Sequence, residues 1–383
     1  MSNSTSNNVS LYIGLMSGTS LDGVDGAVVA IPDGYCGGSL SMLASDHVEF
    51  PSWLRAELMA LQAASMNEIE REAIAANELA RLYAVCVGRL IDKVNDVPGS
   101  IRAVGVHGQT IRHRPDLGFS WQTNNPALLA ELVGIDVIAD FRSRDIAAGG
   151  QGAPLVPAFH QAVFGQSGET RVLVNIGGIS NISVLNADGS VIGFDTGPGN
   201  VLMDAWITRH LGHGYDADGA WAASGRIVDD LLQMLLAEPF LSMAPPKSTG
   251  RDLFHMDWLA GKLSNLSAFS PKPEDIQATL AEFTACSIAD AIAMSAPGAA
   301  RVFVCGGGAF NSFLLKRLEH ALRDRMPGIS LGTTSALGVS PNHVEAMAFA
   351  WLAHRFCMRC PGNLPSVTGA QGLRILGALY PGN

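Results

Sequence analysis

Two stretches of this chain repeat one design: an apolar strand, a turn of small residues, and an apolar strand returning. The first spans residues 10–31, with Leu11-Tyr-Ile-Gly-Leu leading into Ser17-Gly-Thr-Ser-Leu-Asp-Gly23 and Val24–Ile31 coming back. The second spans 171–186, with Val172-Leu-Val-Asn-Ile, the turn Gly177-Gly-Ile-Ser-Asn181, and Ile182–Leu185. Apolar runs of this length bounded by Gly and Ser read as buried hairpins. The pairing is read as an internal duplication, with one hairpin opening each half. A third strand-to-glycine junction, Arg301-Val-Phe-Val-Cys305 followed by Gly306-Gly-Gly-Ala-Phe-Asn311, enters an amphipathic helix through Leu322.

Helical periodicity covers 52–64 and 67–94, a helix with Pro126 in its first turn covers 125–133, and others cover about 200–211 and 342–357. Further strands are expected at 39–50, 102–107, 136–140 and 191–194. Alternating strands and helices indicate a layered α/β fold. A length of 383 residues supports two domains, and 48% hydrophobic against 16% charged residues argues against disorder. The polar stretch 1–9 is expected to be a frayed tail.

Glycine is abundant, 42 residues, with no collagen period or linker tract to absorb the excess. It collects where strands end. Turns of Gly, Ser and Thr let a backbone approach a ligand and aim N–H groups at phosphate; the alternative is a tight hairpin that binds nothing. The net charge of -10 disfavours nucleic acid as a partner. No apolar run is long enough for a membrane span, and no cationic signal start precedes Arg55. A cytoplasmic protein is expected. Six cysteines, including the lone Cys357-Met-Arg-Cys360, read as reduced thiols. P-loop and Rossmann fingerprints are absent.

Several side chains stand out. Asp22, in the first turn, suits either a Mg²⁺ site beside phosphate or an Asx turn; Asp25 follows on the return strand. Asp195, expected at the end of a strand before Thr-Gly-Pro-Gly199, suits a general base or a helix cap. Arg112, Arg114, Arg142 and Arg144 follow strands and can grip a carboxylate or pair with surface acids. His107 reads as a core histidine or a ligand. Glu345, early in an apolar helix, answers the helix dipole or contacts substrate.

The blocks Met16-Ser-Gly-Thr-Ser-Leu-Asp-Gly23 with Asp25, Gly108-Gln-Thr-Ile-Arg-His113, Asp140-Phe-Arg142, Gly149-Gly-Gln-Gly-Ala-Pro-Leu155, Asn175-Ile-Gly-Gly178, Gly193-Phe-Asp-Thr-Gly-Pro-Gly-Asn200, Pro246-Lys-Ser-Thr-Gly-Arg251 and Cys305-Gly-Gly-Gly-Ala-Phe-Asn311, taken together and in order, resemble the anhydro-N-acetylmuramic acid kinase family. The resemblance implies an α/β, two-lobed actin-like ATPase (ribonuclease H-like) fold with duplicated β-sheet domains and ATP in an interdomain cleft. It implies an N-terminal lobe of 10–146 plus about 370–383 and a C-terminal lobe of 147–369. The implied reaction takes 1,6-anhydro-N-acetylmuramic acid, ATP and water to N-acetylmuramic acid 6-phosphate and ADP, in cell-wall sugar recycling, with Mg²⁺.

By the same resemblance, Gly18, Thr19, Ser20, Leu21, Asp22, Gly23, Val24 and Asp25 form the first ATP-phosphate loop. Asn175, Gly177, Gly178 and Asn181 form the second, and Gly306, Gly307, Gly308 and Asn311 line the adenosine side. Asp195 is the implied general base, and Arg142, Glu345, Gln109 and His107 are the implied sugar-binding residues, with Asp22 the candidate for Mg²⁺. A homodimer is what the family suggests. Two other readings keep the fold: a kinase for another sugar or carboxylic acid, and a non-enzymatic actin-like ATP-binding scaffold.

Overall fold

The computed structural model describes residues 9–18, 21–97, 99–266 and 271–382. The expected tail, apart from Val9, and the loop residues Thr19 and Ser20 lie outside the described residues. The described residues fall into two compact units, one within Met1–Phe164 and His343–Asn383 and one within Gly165–Asn342. No helix among the described residues is long and apolar enough to cross a membrane.

The first unit is built on strands β1 (Val9–Met16), β2 (Gly23–Pro32), β3 (Ser41–Glu49), β4 (Ile101–Val106), β5 (Gln109–Arg114), β6 (Phe119–Thr123) and β7 (Val137–Ala139). The second carries β8 (Arg171–Ile176), β9 (Ile179–Leu185), β10 (Val191–Pro198), β11 (Arg301–Cys305) and β12 (Ser330–Thr333); β13 (Ala378–Tyr380) returns to the first. The first sheet runs β3-β2-β1-β4-β7-β13 and the second β10-β9-β8-β11-β12. In each, three strands meander antiparallel and two more join parallel to the first. The shared order 3-2-1-4-5, with the same strand senses, is the duplicated sheet of the actin-like, ribonuclease H-like fold. The two hairpins seen in sequence are its first two strands in each half.

Packing explains where each helix belongs. Gly14 of β1 and Gly105 of β4 are register partners, side by side on one face of the sheet. A Cβ on Gly14 would overlap the carbonyl of Ala346, and one on Gly105 that of Phe349. The backbone of the helix Val344–Cys357 therefore lies directly on the sheet, and its residues Val344 and Ala346 through His354 are buried. The opposite face takes the amphipathic helix Glu68–Lys93 through Leu79, Tyr83, Cys86, Val87 and Leu90. The expected lobe boundaries fell at 146 and about 370; the compact units divide at Phe164 and His343, because this glycine-lined contact ties the late helix to the early strands.

The second unit centres on the helix Pro273–Ser295, buried along most of its length. The helix Ser312–Arg325 packs against it with Leu314, Leu318 and Leu322 in a common core. The sequence reading did not mark the central helix. Buried on nearly every side, with Gln277, Thr279, Glu282 and Thr284 among its buried residues, it has no apolar stripe set against a polar face to detect.

Candidate functional site

In the first unit, the β1–β2 turn is held by side chains from neighbouring elements. The Ser17 hydroxyl bonds the Tyr83 hydroxyl at 2.8 Å and donates to the Gly108 carbonyl at 3.1 Å. Gln109, fully buried, donates from Nε2 to the Gly18 carbonyl at 3.1 Å. The Leu21 N–H bonds the Gly18 carbonyl at 3.2 Å, and Leu21 adopts φ 57° with its side chain buried. Non-glycine residues rarely adopt that backbone conformation, so the turn is shaped by what surrounds it. Asp22 is exposed, and Gly23 and Val24 are buried.

Asp25 faces His47 across the β2–β3 pairing, with Oδ1 2.8 Å from Nδ1. Burial pushes the Asp25 carboxyl up, opposed by His47, while the neighbouring Asp22 charge adds to the rise. His343 also feels this carboxylate. Among the described residues no group of three His, Cys, Asp or Glu is arranged to hold a metal. The donors present fit Mg²⁺ of the kind kept by phosphate oxygens and water with one or two carboxylates, here Asp22 and Asp25.

Arg142 collects the remaining first-unit candidates. Its Nη2 lies 2.8 Å and its Nε 3.3 Å from His107 Nε2, and Nη1 donates to the Gly152 carbonyl at 2.7 Å. Burial and the adjacent guanidinium pull His107 down to about 3. It is therefore a neutral acceptor, with its proton on Nδ1. Burial lowers Arg142 to about 10, opposed first by Glu345 and then by Asp145. A guanidinium has five N–H groups, so one on each terminal nitrogen remains beyond these bonds. That pair forms a fork suited to a carboxylate. Arg112 and Arg114 do not join it: Arg112 pairs with Glu68 at 3.0 Å and Arg114 with Asp116 at 2.7 Å. Arg144 is exposed.

In the second unit the turn is held by backbone. The carbonyls of Gly177 and Gly178 accept from the N–H groups of Asn200 and Gly199, both at 2.8 Å, and Gly178 also from Val201 at 3.1 Å. These amides open the helix Val201–Leu211. A Cβ on Gly199 would overlap the Gly177 carbonyl. Asn175 and Asn181 pair in register across the hairpin. Gly306, at φ 79°, packs where a Cβ would overlap the Asn175 side chain, and Gly308 packs against Ile176. Gly307 is exposed. Asn311 accepts the Leu314 N–H at 2.9 Å and so caps the helix Ser312–Arg325.

Asp195 does not end its strand. β10 continues to Pro198, with a register shift between Asp195 and Gly197. Thr-Gly-Pro looked like a turn, yet an edge strand tolerates proline and a bulge takes up the extra residue. Asp195 is half-buried. Its Oδ2 accepts the Thr249 N–H at 3.0 Å, and its own N–H reaches the Lys247 carbonyl at 3.2 Å. Burial raises its carboxyl to about 6, opposed by the Thr249 amide and by Lys247.

Lys247 itself donates to the carbonyls of Phe240 and Leu241 at 3.1 and 2.8 Å and lies over the Phe240 ring at 4.8 Å. The 247–249 backbone is thereby fixed against the acid. Sequence reasoning gave this segment no role, although Pro246-Lys-Ser-Thr-Gly-Arg251 was visible as a motif. It also passed over Asp204, whose carboxyl burial raises to about 7 against the pull of Arg251.

Comparison with known proteins places the chain in a family. A family model described as anhydro-N-acetylmuramic acid kinase matches residues 10–382. A protein of that name from Burkholderia orbicola (strain MC0-3) is 57% identical over 97% of this chain and 96% of its own. One from Cupriavidus pinatubonensis (strain JMP 134 / LMG 1197) is 55% identical over 97% of this chain and 98% of its own. Among solved structures, the activator of the 2-hydroxyisocaproyl-CoA dehydratase from Clostridium difficile with bound ADPNP aligns at TM-score 0.45 and 14% identity, covering 90% of this chain and 94% of that one. With two like sheets, two glycine turns anchored in different ways, and a match from Ser10 to Gly382, the chain belongs to the anhydro-N-acetylmuramic acid kinase family.

Proposed function

We propose that this chain is an ATP-dependent kinase that opens the 1,6-anhydro ring of 1,6-anhydro-N-acetylmuramic acid and phosphorylates O6. The observation that carries the reading is Asp195. Its carboxylate is fixed by the Thr249 amide and raised by burial to about 6, close to the range in which a general base works best near neutral pH. Asp195 takes a proton from the water that bonds to the anomeric carbon. The bond from that carbon to O6 breaks, O6 bonds to the γ-phosphorus of ATP, and ADP leaves. The proton on Asp195 returns to solvent.

The remaining roles follow from charge and backbone chemistry. The turns at Gly18–Asp25 and Asn175–Asn181 offer amides to phosphate, and Gly306, Gly307, Gly308 and Asn311 face the adenosine. Mg²⁺, held by Asp22 and Asp25 with phosphate and water, would offset the charge that develops in phosphoryl transfer. Arg142, fixed by His107 and Gly152, receives the lactyl carboxylate of the sugar. Glu345 and Gln109 complete the sugar side. Gln109, fully buried, does so indirectly, by holding Gly18 and with it the phosphate turn that faces the sugar.

Incubation with the anhydro sugar, ATP and Mg²⁺, followed by mass analysis, tests the reading. The product must gain both water and phosphate; phosphate without water, or ADP release indifferent to the sugar, contradicts it. A panel of other sugars and carboxylic acids separates a kinase of different specificity. Nucleotide-dependent association without steady ADP release would mark a scaffold.

A further inference from the structure

Asp145, next to Arg144, is one of the acids with which the candidate arginines could have paired at the surface. Instead it is fully buried in the short helix Ser143–Ile146. Its Oδ2 accepts the Gly152 N–H at 2.9 Å. Its Oδ1 accepts the Asn363 amide and the Thr368 hydroxyl, both at 2.8 Å. Three donors converge on one carboxylate, two of them more than 200 residues away in sequence. Burying a carboxylate is costly unless its oxygens are satisfied, and here a neutral amide would turn an N–H toward donors. The loop fits closely around it: Gly150 has no room for a Cβ beside the Asp145 carboxylate. Two backbone bonds tie the same loop to the late segment, Gln151 N–H to the Thr368 carbonyl at 2.7 Å and Gln371 N–H to the Ala148 carbonyl at 2.8 Å.

Gly152 joins this staple to Arg142. Asp145 holds its N–H and Arg142 donates to its carbonyl. We propose that Asp145 is the positioning residue for Arg142, aiming the guanidinium fork at the sugar carboxylate by clamping Gly152 to the segment 363–368. The proposal rests on the reading of Arg142 as the ligand of that carboxylate. Asp145 touches neither sugar nor nucleotide; it acts through the direction in which Arg142 points.

Steady-state ADP release by the full-length chain, with sugar and MgATP varied in turn, tests it. Asp145→Asn should raise the KM for 1,6-anhydro-N-acetylmuramic acid about 10-fold, the scale of one misaligned charge-assisted hydrogen bond. The KM for ATP should stay within about 2-fold, since no nucleotide contact changes. In an Arg142→Ala background, Asp145→Asn should change the sugar KM by less than about 2-fold, because coupled residues are not additive. Equal shifts in both KM values, or a full additional penalty on top of Arg142→Ala, would overturn the proposal and leave Asp145 a purely structural group.

If Asp145→Asn does not fold, Thr368→Val removes one donor and should raise the sugar KM about 3-fold with the ATP KM unchanged. No selective change there also overturns it. Wild-type enzyme that releases no ADP with this sugar would instead refute the functional reading, and the proposal with it.

Discussion

The two units hold a carboxylate against the same three-stranded meander in opposite ways. In the first, Asp25 on the second strand meets an imidazole, His47, across the third strand at 2.8 Å. In the second, the acid is on the third strand. Asp195 pairs in register with Asn181, and its carboxylate accepts a backbone amide, that of Thr249. Both acids are raised by burial; a hydrogen-bonded imidazole offsets the rise at Asp25, whereas the Thr249 amide and the more distant Lys247 charge offset it at Asp195. The turns differ in the same manner. Side chains of Ser17, Tyr83 and Gln109 hold the first, whereas backbone bonds to residues 199–201 hold the second. One frame has thus been adapted twice, once with side chains and once with backbone, and in the proposed reaction it is the backbone-held acid that takes the proton.

The largest expected effect lies at Asp195. Asp195→Asn should lower kcat by about 10³-fold, within the range for loss of a general base, while ATP binding measured by calorimetry is retained. Substantial remaining sugar phosphorylation would break the contrast between the two acids. In the wild type, kcat/KM should fall as pH drops through about 6, the value to which burial raises the Asp195 carboxyl. The same shift reaches stability. A carboxyl raised in the folded state binds more protons folded than unfolded between its ordinary value and about 6. Its favourable contribution is therefore complete at low pH and lost as pH rises through about 6. Asp195→Asn should accordingly raise Tm more at pH 8 than at pH 5, as followed by differential scanning calorimetry; an equal shift at both would contradict the burial account.

Next comes Gly199→Ala. Its methyl would enter the Gly177 carbonyl, a backbone neighbour that cannot swing aside. A loss of about 2 kcal/mol is expected, read as a lower midpoint in urea, together with weaker ATP binding. Ser17→Ala and Tyr83→Phe remove one buried hydroxyl each from the first turn and should cost about 1 kcal/mol apiece. The double variant should cost less than the sum, because the two hydroxyls bond each other. The smallest effect belongs to His47→Gln. The His47–Asp25 pair is about 40% exposed on each side, so its loss should cost under about 1 kcal/mol in urea unfolding. A larger loss at His47 than at Gly199 would invert the comparison.

Much of the frame was legible because strand and turn chemistry are local. The hairpins, the strand Ile101–Val106, and the helices Glu68–Lys93 and Val344–Cys357 all follow from periodicity and small-residue turns. Asp195 was legible as a candidate, although Gly197 and Pro198 disguised the continuation of its strand. The Lys247–Thr249 backbone was not, because an amide donor leaves no trace in residue type. Nor was Asp145, whose partners Asn363 and Thr368 are far away in sequence and carry no local signature. By residue type Arg142 stood beside Arg112, Arg114 and Arg144 as one of four equivalents, and the family resemblance alone picked it out. Packing gave the physical distinction, setting it half-buried against His107 while the others reached acids or solvent.

By itself, then, the sequence determined the duplicated α/β frame, the positions of the glycine turns and the chemical types gathered near them. These depend on neighbours a few residues apart, where apolar pattern and backbone freedom act directly. The tertiary structure decided which side chain each group answers to. Gly14 and Gly105 bring a late helix onto early strands, Asp145 joins residue 152 to residues 363 and 368, and burial raises Asp195 toward neutrality. Proton affinity and aim depend on desolvation and on partners distant in the chain, and both come into being only when the chain is packed.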